Sequence, residues 1–370
     1  MERSYGVLLR MCKQEDLTSN KLHFYLIDFY KLFFSIVILI HHTYQLPSFN
    51  NEHVYLKSGA LAVDFFFIVS GIFMMKHLSN KNYPDFNNIV LDNLKYTFIN
   101  FKRIIPYVFL AYCFSLFLKI CIDNTFNIYK IIASSIFELS FTFMFGIKGL
   151  YINSLTWFIS ALIISKFVIY PLVARMKYSY QFYIAPIISF LILGYLSQNY
   201  GAIGGTYSWG GFVYIGVLRA VMDLHMGIIV WSFVNYINSK NKHYNKCFIY
   251  FLKYMCLLMI MVYYQCCRQG QGDFFIYFLT ILFIILLFLL TDSNHCSKFN
   301  KYFKEFLSKM GMLSLAIYVN QNVFLTFLKI NKYHLNKELE LIIYLCGTIT
   351  LSFLTVYILS RYNAVIRRTK

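Results

Sequence analysis

The chain has 370 residues, of which 59% are hydrophobic, 20% aromatic and only 14% charged, against about a quarter charged in a soluble domain. Apolar runs of spanning length recur from Leu26 to Leu359, which excludes a soluble globular fold and predicts an all-α, polytopic membrane bundle. The formal charge of +18 does not indicate nucleic acid, because Lys and Arg fall mostly in short segments between the apolar runs, the placement that the positive-inside rule describes.

In chain order, residues 1–23 are polar and carry Arg3, Arg10, Lys13 and Lys21. They lack the apolar core and cleavage site of a signal peptide and are expected to stay cytoplasmic. Apolar runs follow at 24–46, 58–78, 104–122, 129–147, 154–173, 182–199, 212–234, 247–266, 274–290, 311–330 and 339–360, and a basic tail occupies 361–370. If all eleven runs cross, loop Lys and Arg divide about evenly between the two sides. If 129–147 does not cross, the outer side keeps only Lys57, Lys130, Lys148, Arg268, Lys332 and Lys337. That asymmetry favours ten spans with both termini cytoplasmic, the alternative being that 129–147 crosses and the shorter run 274–290 does not. Run 129–147 is then a re-entrant or interfacial segment, and Glu138 in its middle suits packing against protein or partial wetting. A single membrane domain over 24–360 follows. Nine cysteines include no CxxC pair, so neither a disulfide framework nor a metal site is expected.

Ionisable residues inside the apolar runs are few, and costly enough to be functional candidates. Lys31 and His42 lie eleven residues apart in the first run, so they share one helix face, about 16 Å apart along the axis. His42 is the general-base candidate, since a neutral imidazole takes a proton from a hydroxyl and returns it to a leaving group. The plainer reading is a histidine bonded at the membrane interface. His41 points about 100° away and is expected to be structural. Asp64 can orient that imidazole, hold a substrate hydroxyl, or form an interhelical ion pair with Arg219. Arg219 and Asp223 share a face at i, i+4, as a local pair or, for Arg219, an anion or sugar contact. Lys102 and Arg103 stand at a cytoplasmic helix entrance, able to bind phosphate or only marking the interface. Gly201, Gly204, Gly205, Gly210 and Gly211 cluster with Tyr200, Tyr207 and Trp209 in an outer loop that can act as a flexible lip against a sugar. No GxxxxGK[ST] loop or G-x-S-x-G elbow occurs.

Several segments together resemble the acyltransferase-3 family of integral membrane O-acyltransferases. LIDFYKLFFSIVILIHH places Lys31 and His42 where that family has an arginine, ten residues and a histidine. GALAVDFFFIVSGIFM, FKRIIPY, LTWFISALIISKFVIYPL (led by Trp157), GVLRAVMDLHMGIIV and GMLSLAIYVNQ are similar, in order, to its later motifs. Lys31 stands for the family's arginine, Asn100 for the first arginine of an R-x-x-R pair, Leu162 for a glutamate, and Asn320-Gln321 for a histidine. The resemblance implies transfer of an acyl group, most commonly acetyl, to a carbohydrate hydroxyl. The donor substrate would be cytoplasmic acetyl-CoA, with no resident cofactor or metal. The acceptor would be a capsule, O-antigen, exopolysaccharide or lipid-linked sugar, and the setting a bacterial plasma membrane. Lys31, Lys102 and Arg103 would hold the donor. His42, with Asp64, would be catalytic, and Arg219, Asp223 and Trp157 would serve the acceptor or the fold. The alternatives are a multi-span transporter or flippase for lipid-linked sugars, and an inactive family member acting as a binding subunit.

Overall fold

The computed structural model describes residues 26–122, 128–147, 151–240, 245–290, 301–330 and 335–368. The N-terminal segment 1–23, Lys148 and Lys332 lie outside the described residues. Within them the chain is helical, with no β-strand and one isolated bridge between Trp209 and Tyr214. The helices are α1 (26–41), α2 (Ala62–Ser79), α3 (Phe86–Ile122), α4 (Ile128–Leu139), α5 (Trp157–Ser179), α6 (Ala185–Tyr200), α7 (Ile215–Ser239), α8 (Lys246–Cys266), α9 (Asp273–Leu289), α10 (Lys301–Ile330) and α11 (Lys337–Arg368).

Eight helical segments among the described residues are long and apolar enough to cross a membrane. One of them, Ser154–Tyr200, has 47 residues, about 70 Å of helix against a hydrocarbon core of about 30 Å. It breaks at Lys177, where φ is 30° and ψ −101°, so α5 and α6 are separate helices that match the runs at 154–173 and 182–199. Helix α9, an apolar helix of 17 residues in all, reaches about 26 Å. Helix α4 has only 12 residues, about 18 Å, and the chain then turns through Phe143–Phe145. Segment 129–147 is therefore too short a helix to cross, as expected.

Three helices outrun their apolar patterns. Helix α3 starts at Phe86 rather than 104, where the Asp85 carboxylate accepts the Asn88 N–H at 2.8 Å, an N-cap that relieves an otherwise unpaired donor. Helix α10 starts at Lys301 rather than 311. Helix α11 runs on to Arg368, so residues 361–368 continue a helix instead of forming a separate tail. Polar residues form helix readily outside the bilayer, and a hydropathy pattern marks only the apolar part.

Helices α2 and α7 touch backbone to backbone. A Cβ on Gly71 would lie 2.4 Å from the Leu224 carbonyl oxygen, and one on Gly227 would lie 2.2 Å from that of Ile68. Small residues permit such an approach where lipid supplies no hydrophobic drive between helices. The contact holds Asp64 on α2, two turns away, opposite Arg219 on α7. On the outward faces Phe117, Leu191, Leu258 and Phe353 are exposed, an apolar surface suited to lipid.

Candidate active site

Helix α1 tightens after His41 into a single 3-10 turn, His42–Gln45. Leu46 then becomes extended, with φ −70° and ψ 142°, as the residue before Pro47 must to avoid the proline ring. This turn brings Nε2 of Gln45 within 3.0 Å of Nδ1 of His42. His42 is half-buried and lines a cavity of about 510 Å³ together with Ser154, Trp157, Tyr207, Arg219 and Tyr318. Nδ1 is thus the ring nitrogen bonded to protein, which leaves Nε2 without a partner among the described residues in a side chain that lines the cavity. His41 turns aside: its Nδ1 lies 2.8 Å from the Leu56 carbonyl oxygen, and its ring stacks on His53 at 5.2 Å. Gly59 makes room for it, since a Cβ there would lie 2.7 Å from that of His41. Burial, reinforced by the positive charge of Arg268, lowers the His53 pKa below its ordinary value.

Asp64 does not orient His42. Its Oδ1 accepts both Nη2 and Nε of Arg219, at 2.6 and 3.1 Å. Arg219 also donates to the Ala60 carbonyl at 3.3 Å and sits 5.9 Å from the centre of the Trp157 ring. The interhelical ion pair is thus the arrangement formed, and the local Arg219–Asp223 pair is not. The glycine contact sets α2 close enough for Asp64 to take both donors. Both Asp223 oxygens, Nη1 of Arg219 and the hydroxyls of Tyr264 and Tyr277 are buried without a hydrogen-bond partner among the described residues.

One wall of the cavity is a tied strap at 152–155. Glu138 accepts the backbone N–H groups of Ile152 and Asn153, each at 2.8 Å. Asn322 donates to the Ile152 carbonyl, Asn153 to that of Val319 and Tyr318 to that of Leu155, at 2.8, 2.9 and 2.8 Å. Tyr207, from the glycine-rich loop, donates to the Ser154 carbonyl. Burial raises the Glu138 pKa, and the two N–H bonds oppose that shift. The acidic residue in the non-crossing segment is therefore packed against protein and braces the site. Trp157 completes the wall, and a Cβ on Gly216 would lie 2.9 Å from its ring.

The other end of α1 opens on a second cavity of about 760 Å³, lined by Lys31, Lys76, Lys81, Asn100, Arg103 and Lys166. The Lys31 ammonium bonds Asp28 at 2.9 Å and lies 5.3 Å from the centre of the Phe73 ring. Gly311 of α10 admits Asp28, since a Cβ there would lie 2.7 Å from its Cγ. Lys102 is exposed on α3 and does not line the cavity. Lys81 is held by Asp92 at 2.5 Å, which also accepts the Tyr83 hydroxyl at 2.5 Å. Lys166, Lys76 and Lys81 were not singled out by the sequence. Lys166 lies well inside the apolar run 154–173, and the cost of an intramembrane charge is the signal that marks it. Gln45 carried no comparable signal.

The two cavities share the seam of α1, α2 and α5. From Ile38 to Lys31 on α1, and from Val63 to Ser70 on α2, the linings are seven residues apart, about 10 Å. Phe66 and Phe158 pack between them edge to face at 5.9 Å, and Phe67 meets Phe158 at 4.5 Å. Asn320 lies outside both linings and donates to Ser352 and Thr355 of α11 at 3.3 and 3.1 Å. Gln321 donates to the Tyr318 carbonyl at 2.9 Å.

The model of the acyltransferase-3 family, described as an acyltransferase domain, matches residues 24–360, and the chain belongs to that family. No curated protein and no solved structure matches the chain.

Proposed function

We propose that this membrane acyltransferase moves an acyl group, most commonly acetyl, from acyl-CoA to a hydroxyl of a cell-surface or lipid-linked carbohydrate in a bacterial plasma membrane. The observation that carries this reading is the pair of cavities at opposite ends of one helical seam. One is lined by five cationic side chains and the other holds His42, whose Nε2 is without a partner among the described residues. Counting charges across the loops puts the Lys31 end at the cytoplasm, where acyl-CoA is found. Arg103 is suited to a phosphate through its planar fork of donors, and Lys76 and Lys166 to the same anion as point charges, while Lys81 is held by Asp92. Lys31, already paired with Asp28, adds less.

At the His42 end the acceptor hydroxyl oxygen attacks the thioester carbonyl carbon, and the carbon–sulfur bond breaks. His42 takes the hydroxyl proton and returns it to the departing thiolate, so protons balance without a cofactor. Arg219 lines the same cavity, and its positive charge favours the negative charge that builds on the carbonyl oxygen. Asp64 serves by holding Arg219 and is a positioning residue. Tyr207 and Trp157 offer aromatic faces to a sugar ring.

The test is acyl transfer from labelled acetyl-CoA by the purified protein in proteoliposomes, with glycan mass spectra from cells with and without the gene to identify the acceptor. His42→Ala, shown to be folded and inserted, should abolish transfer. O-acylation retained by that variant refutes the role given to His42.

A further inference from the structure

Gln45 makes three contacts that admit only one orientation of its amide. Its Oε1 receives the Lys329 ammonium at 3.1 Å, while its Nε2 lies 3.0 Å from Nδ1 of His42 and 3.1 Å from the Tyr44 hydroxyl. A lysine ammonium can only donate, so the atom facing it is the oxygen, and the atom facing His42 is the NH₂ nitrogen. Nδ1 of His42 must therefore accept, and in a neutral imidazole the proton then sits on Nε2. Nε2 is the nitrogen left without a partner among the described residues. In this setting it can donate a hydrogen bond but cannot take a proton.

We propose that Gln45 is the positioning residue that sets the tautomer of His42, and that Lys329 latches it in the non-basic setting. A half-turn of the amide presents Oε1 to His42. Nδ1 then carries the proton and donates it to Oε1, and Nε2 becomes the free base aimed at the acceptor hydroxyl. Lys329 is exposed on α10, and its partner is a neutral oxygen, so water can replace the latch. The inference rests on His42 being the base of acyl transfer. The titratable groups facing His42 are His41 and Tyr44 on its own turn and His53 and Lys57 from the following loop. Arg268 comes from the loop after α8, Tyr207 from the glycine-rich loop, Arg219 from α7, and Tyr318 and Lys329 from α10. No carboxylate stands among them, so the neutral amide of Gln45 is left as the partner of Nδ1.

The direct readout is the ¹⁵N spectrum of histidine-labelled protein in membranes, with the His42 signal identified by its loss in His42→Gln. The wild type should show the Nε2–H tautomer. Gln45→Glu, which can only accept, should show Nδ1–H, raise turnover by holding the basic setting, and move the rising limb of the pH–rate profile up by about one unit. Gln45→Met should lose turnover by about tenfold or more with the acyl-CoA KM unchanged, and Lys329→Met should raise turnover. A wild-type tautomer and pH profile in Gln45→Glu, or wild-type turnover in Gln45→Met, overturns the proposal. Activity retained by His42→Ala would instead remove the base role itself, whatever tautomer the spectrum shows.

Discussion

Replacing Asp64 with alanine separates the two roles that a carboxylate near the proposed catalytic histidine can have. Asp64 and Arg219 are 2% and 0% exposed, and both donors of the guanidinium meet one oxygen. Removing one partner of a buried pair leaves an uncompensated charge and costs about 3–5 kcal/mol. The surroundings rank the variants within that range. After Asp64→Ala, Arg219 still has Asp223 four residues along α7, with two unpartnered oxygens, so the loss falls at the low end. After Arg219→Met, two buried carboxylates remain with no cation between them, so the loss falls at the high end or beyond. The double variant Asp64→Ala with Arg219→Met removes both charges of the pair but leaves Asp223 buried without a cation, so it should recover only part of the Arg219→Met loss. Thermal unfolding of detergent-solubilised protein reads all four corners of the cycle. The reasoning is refuted if Asp64→Ala melts like the wild type yet is inactive, which would make Asp64 a direct partner of the catalytic groups.

Lys166→Met takes one cation from the 760 Å³ cavity and should raise the acyl-CoA KM several-fold with the acceptor KM unchanged, as steady-state kinetics will show. Gly227→Val places a side chain where even a Cβ would be 2.2 Å from a backbone oxygen. It should part α2 from α7 and leave little folded protein on size exclusion, whereas the equivalent change at Gly194, which has nothing within 4 Å, should be tolerated. His53 binds a proton less readily in the folded chain than in the unfolded one, because burial and Arg268 lower its pKa below 6.5. Its stabilising contribution is therefore complete above that value and is lost as pH falls through the lower folded one. The melting temperature of His53→Gln should fall less than that of the wild type between about pH 7.5 and 5.

The apolar runs were legible because lipid imposes one requirement, a stretch of apolar side chains long enough to cross. Glu138 and the charge count together located the short segment at 129–147, which the structure shows as a 12-residue helix followed by a turn. What hydropathy does not contain is the register between helices. Arg219 had an acidic neighbour at i+4 and another on a different helix, and spacing favoured the first. The choice was made by Gly71 and Gly227, whose meeting is a tertiary fact. Gln45 was passed over for a related reason: a neutral amide in a polar turn is ordinary until the turn is seen to fold it back on His42.

The departures from the family pattern become intelligible when the cavities are compared. A lysine at position 31 forfeits the two-pronged grip of an arginine, and here its ammonium is already bonded to Asp28. The same cavity, however, is also lined by Lys76, Arg103 and Lys166, so charge for the proposed anionic donor does not depend on position 31. Asn100 likewise stands in a lining that Arg103 already makes cationic. His42 has no such substitute, since the other histidines of its cavity, His41 and His53, are stacked on each other and the first is bonded to a backbone carbonyl. Substitution is thus tolerable at the charge-binding end, where several groups share one task, and costly at His42, the histidine of its cavity that is tied to the Gln45 amide. The proposed transfer places its remaining demand on the roughly 10 Å between the two cavities along the helix axes. A thioester arriving among the lysines reaches His42 only when Phe66 and Phe158, both half-buried in the layer between, move apart.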